Sequence, residues 1–378
     1  MKDFQAVINN LNHRRNTMKS IATLALALAG LSLSGQNTQA ALATPAAIFT
    51  KTITAGKTQY LGTPFVRPEV SVGEIVSVSG KLITVKPTSG DVTYTAAEYS
   101  GYTGALAANE PYIIEILDGD NIGYIGFISA SGATSGTPAT AVITVDVAPG
   151  TVLTGSRYAI RPDWTLESLF GPATSSVVRG TTVRSEPQTA ADQIQLVGSN
   201  GRVTATAYRK WNSTIVNTTG IGTSFIWTST GVSGDARKLR LPYSAGIILK
   251  AVAGSNYDLT FAGQLRQARL RKEILGYPRS NFVANTSAKD LPLSETGIQI
   301  GRGNSVFNAD NLSILDVSTG LTAEYYLHTD GNWRDADDEL ANAVTIAKGT
   351  AVVIKRKNGS TSPLTGASAV KINPALVY

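Results

Sequence analysis

Tyr112-Ile-Ile-Glu-Ile-Leu-Asp-Gly-Asp-Asn-Ile-Gly-Tyr-Ile-Gly-Phe-Ile128 is the stretch whose reading decides the fold. β-Branched and aromatic residues dominate both sides of Asp118-Gly-Asp-Asn121, whose residue types favour a turn. Two such runs around such a turn predict an antiparallel hairpin. The same pattern extends outward. Val76-Ser-Val78 and Leu82-Ile-Thr-Val85 flank Ser79-Gly80-Lys81, a second hairpin signal. Val142-Ile-Thr-Val145 runs into Pro149-Gly150, and Tyr158-Ala-Ile160 follows. Strand signals at this density predict a small barrel or sandwich over about 45–163. Thr165-Leu-Glu-Ser-Leu-Phe170 is the first helical turn, with Thr165 as its cap and Ser168 near the reciprocal position. A domain boundary is expected there.

Beyond it, two stretches resemble each other. Ala191-Asp-Gln-Ile-Gln-Leu196 matches Ala309-Asp-Asn-Leu-Ser-Ile314, and Thr204-Ala205 with Tyr208 matches Thr322-Ala323 with Tyr326, all 118 residues on. Asn200-Gly201 and Thr319-Gly320 mark a turn in each copy. Trp227 then pairs with Trp333, and Gly246-Ile-Ile-Leu-Lys250 with Gly349-Thr-Ala-Val-Val-Ile-Lys355. Ordered matches of this kind predict an internal repeat. The expected organisation is all-β: a leader at 1–40, an N-terminal β domain at 41–164, and related β-modules at 165–283 and 284–378.

Gly62-Thr-Pro-Phe-Val-Arg-Pro68, Arg161-Pro-Asp-Trp-Thr-Leu-Glu-Ser-Leu-Phe170, and Ala-Asp followed by Tyr, Trp and Gly in each copy carry a family resemblance. The layout resembles an uncharacterised family of exported β-rich proteins that occurs as paralogs in verrucomicrobial bacteria. The second copy has the fuller form, Tyr325-Tyr326 then Gly331-Asn-Trp333-Arg334, while the first has Trp211 and a long loop before Trp227. The resemblance implies architecture and export, and names no activity or ligand.

The N-terminus carries Lys2, Arg14, Arg15 and Lys19, then the uncharged run Ile21–Leu33, then a small and polar stretch ending Thr38-Gln-Ala-Ala41. These are the three parts of a secretory signal peptide, with cleavage expected after Ala40. Met18 offers a second start. The run is too short for a confident span, which needs about 20 apolar residues. The expected destination is the periplasm, the cell surface or the medium.

Composition excludes several chemistries. There is no cysteine, so disulfides, thiol catalysis and thiolate metal sites are out. The formal charge of +6 is uneven: residues 41–163 hold 7 basic and 10 acidic side chains, and 164–378 hold 22 and 16. Only two histidines exist, His13 in the leader and His328. A histidine metal site needs more of them, and no Gly-x-Ser-x-Gly elbow accompanies His328 for a serine triad. No phosphate-cradling or dinucleotide motif is present, and no cofactor is expected.

Three constellations remain. Asp335-Ala-Asp337-Asp338-Glu339 is the densest acidic cluster, read as a solvated turn, with an oxygen-ligated calcium site as the alternative. Trp227 and Trp333 recur and read as core, whereas Trp211 has no counterpart and is expected at the surface. The basic stretch Arg266, Arg269, Arg271 and Lys272, with Arg237, Lys238 and Arg240 nearby in sequence, is read as a strand. Arg269 and Arg271 would then share one face, and Arg266 and Lys272 the other. Arg266, Arg269, Arg271, Lys272 and Trp211 are the candidate contacts for an anionic polysaccharide or another envelope component. An export signal argues against nucleic acid. The expected function is that of a non-catalytic structural or adhesive surface protein. The alternatives are an anionic-glycan-binding protein and an outer-membrane β-barrel.

Overall fold

A computed structural model describes residues 46–99, 110–150, 152, 154–172, 178–182, 185–197, 202–212, 224–230, 235–241, 243, 245–266, 270–357, 359–362, 364 and 370–372. The expected leader and its cleavage point lie outside the described residues, as do Arg269 and the Asn200-Gly201 turn. The fold is all-β.

Three strands come first: β1 (Ala46–Ile53), β2 (Thr58–Leu61) and β3 (Phe65–Val66). Six more follow: β4 (Ser71–Ser79), β5 (Leu82–Gly90), β6 (Tyr112–Ile116), β7 (Ile125–Ser131), β8 (Ala141–Val145) and β9 (Arg157–Pro162). They close into a barrel in the order β4-β5-β8-β7-β6-β9. Alternation makes this barrel. Ile75, Ile83, Val85, Ile114, Ile116, Ile128, Ile143, Tyr158 and Ile160 turn inward and are buried, whereas Glu74, Thr84 and Lys86 turn outward. Gly80 supplies the left-handed residue of the first hairpin at φ +59°. Tyr94 reaches into the interior and ties Ser71 (2.6 Å) to Tyr158 (2.7 Å) by its hydroxyl.

The chain then forms β10 (Trp164–Thr165) and the short helix α1 (Leu166–Phe170). Thr165 and Ser168 cap that helix reciprocally, the Ser168 N–H donating at 3.1 Å and the Thr165 N–H at 2.8 Å. Next come β11 (Gln193–Val197), β12 (Val203–Asn212), β13 (Ser224–Ser229), β14 (Arg240–Leu241), β15 (Ile247–Lys250) and β16 (Tyr257–Leu265). The last set is β17 (Leu270–Lys272), β18 (Ser280–Ala284), β19 (Leu291–Pro292), β20 (Asn311–Leu315), β21 (Thr322–Leu327), β22 (Trp333–Asp335), β23 (Thr345–Ile346), β24 (Ala351–Lys355) and β25 (Val370–Ile372).

Two five-stranded sheets result, β13-β12-β11-β15-β2 and β22-β21-β20-β24-β18. Their registers coincide pair by pair. Ile194 faces Ala207 and Leu249, as Leu312 faces Tyr325 and Ile354. Arg209 faces Trp227, as Leu327 faces Trp333. Leu249 faces Gln59, as Ile354 faces Asn281. The smaller pairs follow suit: β10 with β14, β19 with β23, β1 with β16, and β17 with β25.

These pairings move the expected boundaries. β1, β2 and β3 were assigned to the N-terminal domain, yet they pair with β16 and β15. The first sheet system therefore draws on 46–66 and 164–265, the second on 270–372, and the barrel is threaded between β3 and β10. β17 and β18, expected at the end of the first module, belong to the second. Gly246 was aligned with Gly349, but the ladders place it level with Ala351. Pairing of distant strands is a tertiary choice that local pattern does not encode.

The Ala-Asp motif has a structural reason. Asp192 and Asp310 are fully buried. Asp192 accepts the N–H of Arg179 (2.9 Å) and of Val252 (2.8 Å); Asp310 accepts the N–H of Gly301 (2.7 Å) and of Lys357 (2.8 Å). Each carboxylate latches the segment before its sheet to the segment after β15 or β24. Where the two systems meet, Tyr60 lies edge-on to Phe282 at 5.2 Å. Gly62 and Gly246 admit the close approach of Ala284 and Ala351, where a Cβ would collide.

Candidate functional site

The basic stretch does not form one surface strand. β16 ends at Leu265 and β17 begins at Leu270. Arg266, expected at the surface, is buried with its side chain 2% exposed. Its Nε meets Glu115 Oε1 at 2.7 Å and its Nη2 donates to the Gly123 carbonyl at 3.1 Å. Glu115 sits on β6 between the inward-facing Ile114 and Ile116, so alternation turns it out of the barrel and against β16.

The second Glu115 oxygen takes Arg161 Nε at 3.2 Å. Arg161 Nη1 also reaches Glu69 (2.6 Å), Gln264 (2.7 Å) and the Arg67 carbonyl (3.0 Å). Two buried guanidinium groups thus share one buried carboxylate. Beside them Asp163 is fully buried and paired with Arg240. Burial pushes the Asp163 carboxyl up, against the opposing pull of Arg240, the Trp164 N–H and Arg67. Arg240 lies over the Phe127 ring at 4.2 Å. Arg271 N–H donates to the Gly123 carbonyl at 3.0 Å and its guanidinium holds Asn121.

Arg266, Arg271, Arg161 and Arg240 therefore fasten the barrel to the sheets. This corrects the expectation of Arg266 as a ligand contact. A charge run on paper became an internal clamp because its partners, Glu115, Asn121, Gly123 and Asp163, lie far away in sequence. One signal was legible: a single acid inside the apolar run Tyr112–Leu117 needs a buried partner.

Lys272 is half-buried, and burial with the neighbouring Arg240 charge pushes its ammonium down to about 8 from 10.5. The unfolded chain then binds more protons than the folded one between these values, so stability rises as pH climbs from about 8 towards 10.5. Lys272→Met is expected to raise Tm at pH 7, with the gain shrinking to nothing by pH 10.5. Thermal unfolding of both proteins across that range checks it; a gain independent of pH refutes it.

Trp211 is half-buried on β12, edge-on to Phe225 at 5.6 Å, and its backbone N–H donates to Thr181 Oγ1 at 2.9 Å. None of its described contacts comes from the basic stretch. Trp227 and Trp333 are buried.

His328 stands at the end of β21. Its Nδ1 accepts the Asp330 N–H at 3.2 Å. Asp330 also holds Arg334 Nη2 at 2.9 Å and accepts the Asn332 N–H at 2.8 Å, and these bonds hold its carboxyl well below the usual range. In the acidic cluster, Asp335 Oδ1 accepts the N–H of Asp337 (3.0 Å) and Glu339 (2.9 Å), while Asp338 takes the Tyr326 hydroxyl. The cluster is thus a self-bonded turn. Among the described residues, no group of three or more His, Cys, Asp or Glu is placed to hold a metal ion. A polar cleft of about 140 Å³ lies nearby, lined by Ser294, Gln299, Asn332, Trp333 and Asn342 among others, with no titratable side chain on its wall. Compared with protein-family models, curated proteins and solved structures, the chain matches none.

Proposed function

We propose that the chain is an exported structural or adhesive protein of the cell surface or extracellular matrix, acting as a scaffold without catalysis. One observation carries this reading: Glu115, Asp163, Asp192 and Asp310, with Arg161, Arg240 and Arg266, are committed to fastening strands and domains together. Charged groups locked in this way resist deformation and are not poised for ligand chemistry. We further infer that the two sheet systems are copies of one unit, the first interrupted by the barrel; their common registers support this. The verrucomicrobial family resemblance agrees with export and architecture.

The barrel interior is filled with apolar side chains, whereas a membrane barrel is polar inside; its outward positions mix Glu74, Thr84 and Lys86 with Val76, Leu82 and Val142. That favours the scaffold over the outer-membrane alternative. The anionic-glycan reading retains Arg271, Lys272 and Trp211, all half-buried. Acidic-glycan retention across a salt gradient separates the two: the scaffold reading expects Arg271→Ser to elute with its parent, and the glycan reading expects earlier elution. For export, mass spectrometry of the released protein is expected to place its N-terminus near Ala41. Retention of Leu24–Leu33 in the released form would sink that part of the proposal.

A further inference from the structure

β1 is the outer strand of the sheet β1-β16-β3. It pairs with β16 without interruption from Ala46 opposite Gln264 to Ile53 opposite Tyr257. In an antiparallel ladder, alternate residues turn their N–H and C=O groups away from the partner strand. The corresponding strand in the second system shows which residues these are. There the core-facing Leu270 faces Ile372 and Lys272 faces Val370, as on β1 the core-facing Phe49 faces Phe261 and Lys51 faces Leu259. Arg271, between them, turns its N–H outward to the Gly123 carbonyl at 3.0 Å. On β1 the outward set is therefore Ala46, Ile48, Thr50 and Thr52. The barrel covers this edge of β17, whereas among the described residues nothing hydrogen-bonds the same edge of β1.

This edge also lacks the usual guards. β1 contains no proline and no bulge. Outward lysines commonly protect exposed edges. Lys51, the one charge on β1, is half-buried and drawn towards Asp290. The outer face is Ile48, Thr50 and Thr52, with Ile48 76% exposed.

We propose that β1 is where two copies of this chain join, edge to edge, as an antiparallel two-fold pair. An open row of backbone donors and acceptors takes an extended strand, and β1 complements itself. An axis through Thr50 sets Thr50 opposite its own copy and Ile48 opposite Thr52, each such pair exchanging two backbone bonds, about six in all, with Phe49 opposite Lys51 between them. Lys51 then faces an aromatic ring and avoids a second lysine. Ile48 gains Thr52 as its cross-strand neighbour. The two three-stranded sheets become one continuous sheet. The inference rests on the scaffold reading for its use, naming the second copy as the scaffold's partner.

Sedimentation equilibrium of the full chain tests it, with Thr50→Glu and Thr50→Lys as variants. Thr50 is exposed and makes one side-chain contact, with Thr260 at 3.2 Å, so both variants keep the core. On the axis either substitution sets like charges face to face. The parent is expected to be a dimer, and each variant to associate at least tenfold more weakly. An equimolar mixture of the two variants should recover the dimer. Amide exchange at Ile48, Thr50 and Thr52 should slow only where the dimer forms. A monomeric parent, a dimer indifferent to both charges, or protection of these amides in the monomer overturns the proposal. The N-terminal mass is read on protein released from the same cells. A monomer with a processed N-terminus sinks the pairing and leaves export standing; a dimer with its leader retained does the reverse.

Discussion

Glu115→Ala is expected to cost about 3–5 kcal/mol, because removing one partner of a buried ion pair strands the other charge. Here two guanidinium groups lose that carboxylate, and Arg266 is left without another. Arg266 keeps only the Gly123 carbonyl, whereas Arg161 keeps Glu69, Gln264 and the Arg67 carbonyl. The loss falls on the seam between barrel and sheets. Calorimetry should therefore show the transition lowered and split, with the barrel, which has its own apolar core, melting apart from the rest. Replacing Glu115 and Arg266 together by Leu and Met should recover much of the loss, since a hydrophobic substitute needs no partner. A single unchanged transition in Glu115→Ala would falsify the clamp.

Trp227→Ala is the second large effect. Trp227 is 0% exposed, packs 6.3 Å from the Phe170 ring and donates its Nε1–H to the Gly171 carbonyl at 3.1 Å. Deleting it opens a cavity and orphans that carbonyl, at about 3–5 kcal/mol. Trp333 holds the corresponding register and is 3% exposed. Trp333→Ala is expected to cost a similar amount. Both rings belong to one contiguous core running through the two sheet systems. Each substitution should therefore lower the same cooperative transition in chemical denaturation. Two independent midpoints for the sheet systems would show that the shared core does not couple them.

Much of the architecture was readable from local pattern. Both hairpin signals became barrel strands because alternation tells a strand which face to bury. The Thr165–Ser168 cap was readable because it is completed within four residues. Ala-Asp and Tyr at one spacing, with Trp next in order, match Tyr208 with Tyr326 and Trp227 with Trp333, and these pairs hold corresponding register positions. The candidate site fared differently. Arg266, Arg271 and Lys272 were noticed for their charge, and charge alone does not tell a solvated face from a buried clamp.

The sequence by itself determined the all-β class, the absence of thiol chemistry and the strand faces. Each of these is written in composition or in a period of two residues. Only the tertiary structure decided that 46–66 pairs with strands some two hundred residues later, that the barrel is threaded into the first sheet system, and that Glu115 sits between Arg161 and Arg266. The physical reason is range. Side-chain alternation is a local property, whereas a buried ion pair forms wherever folding brings opposite charges out of water together. Arg266 and Glu115 lie 151 residues apart in the chain, and no local pattern links them.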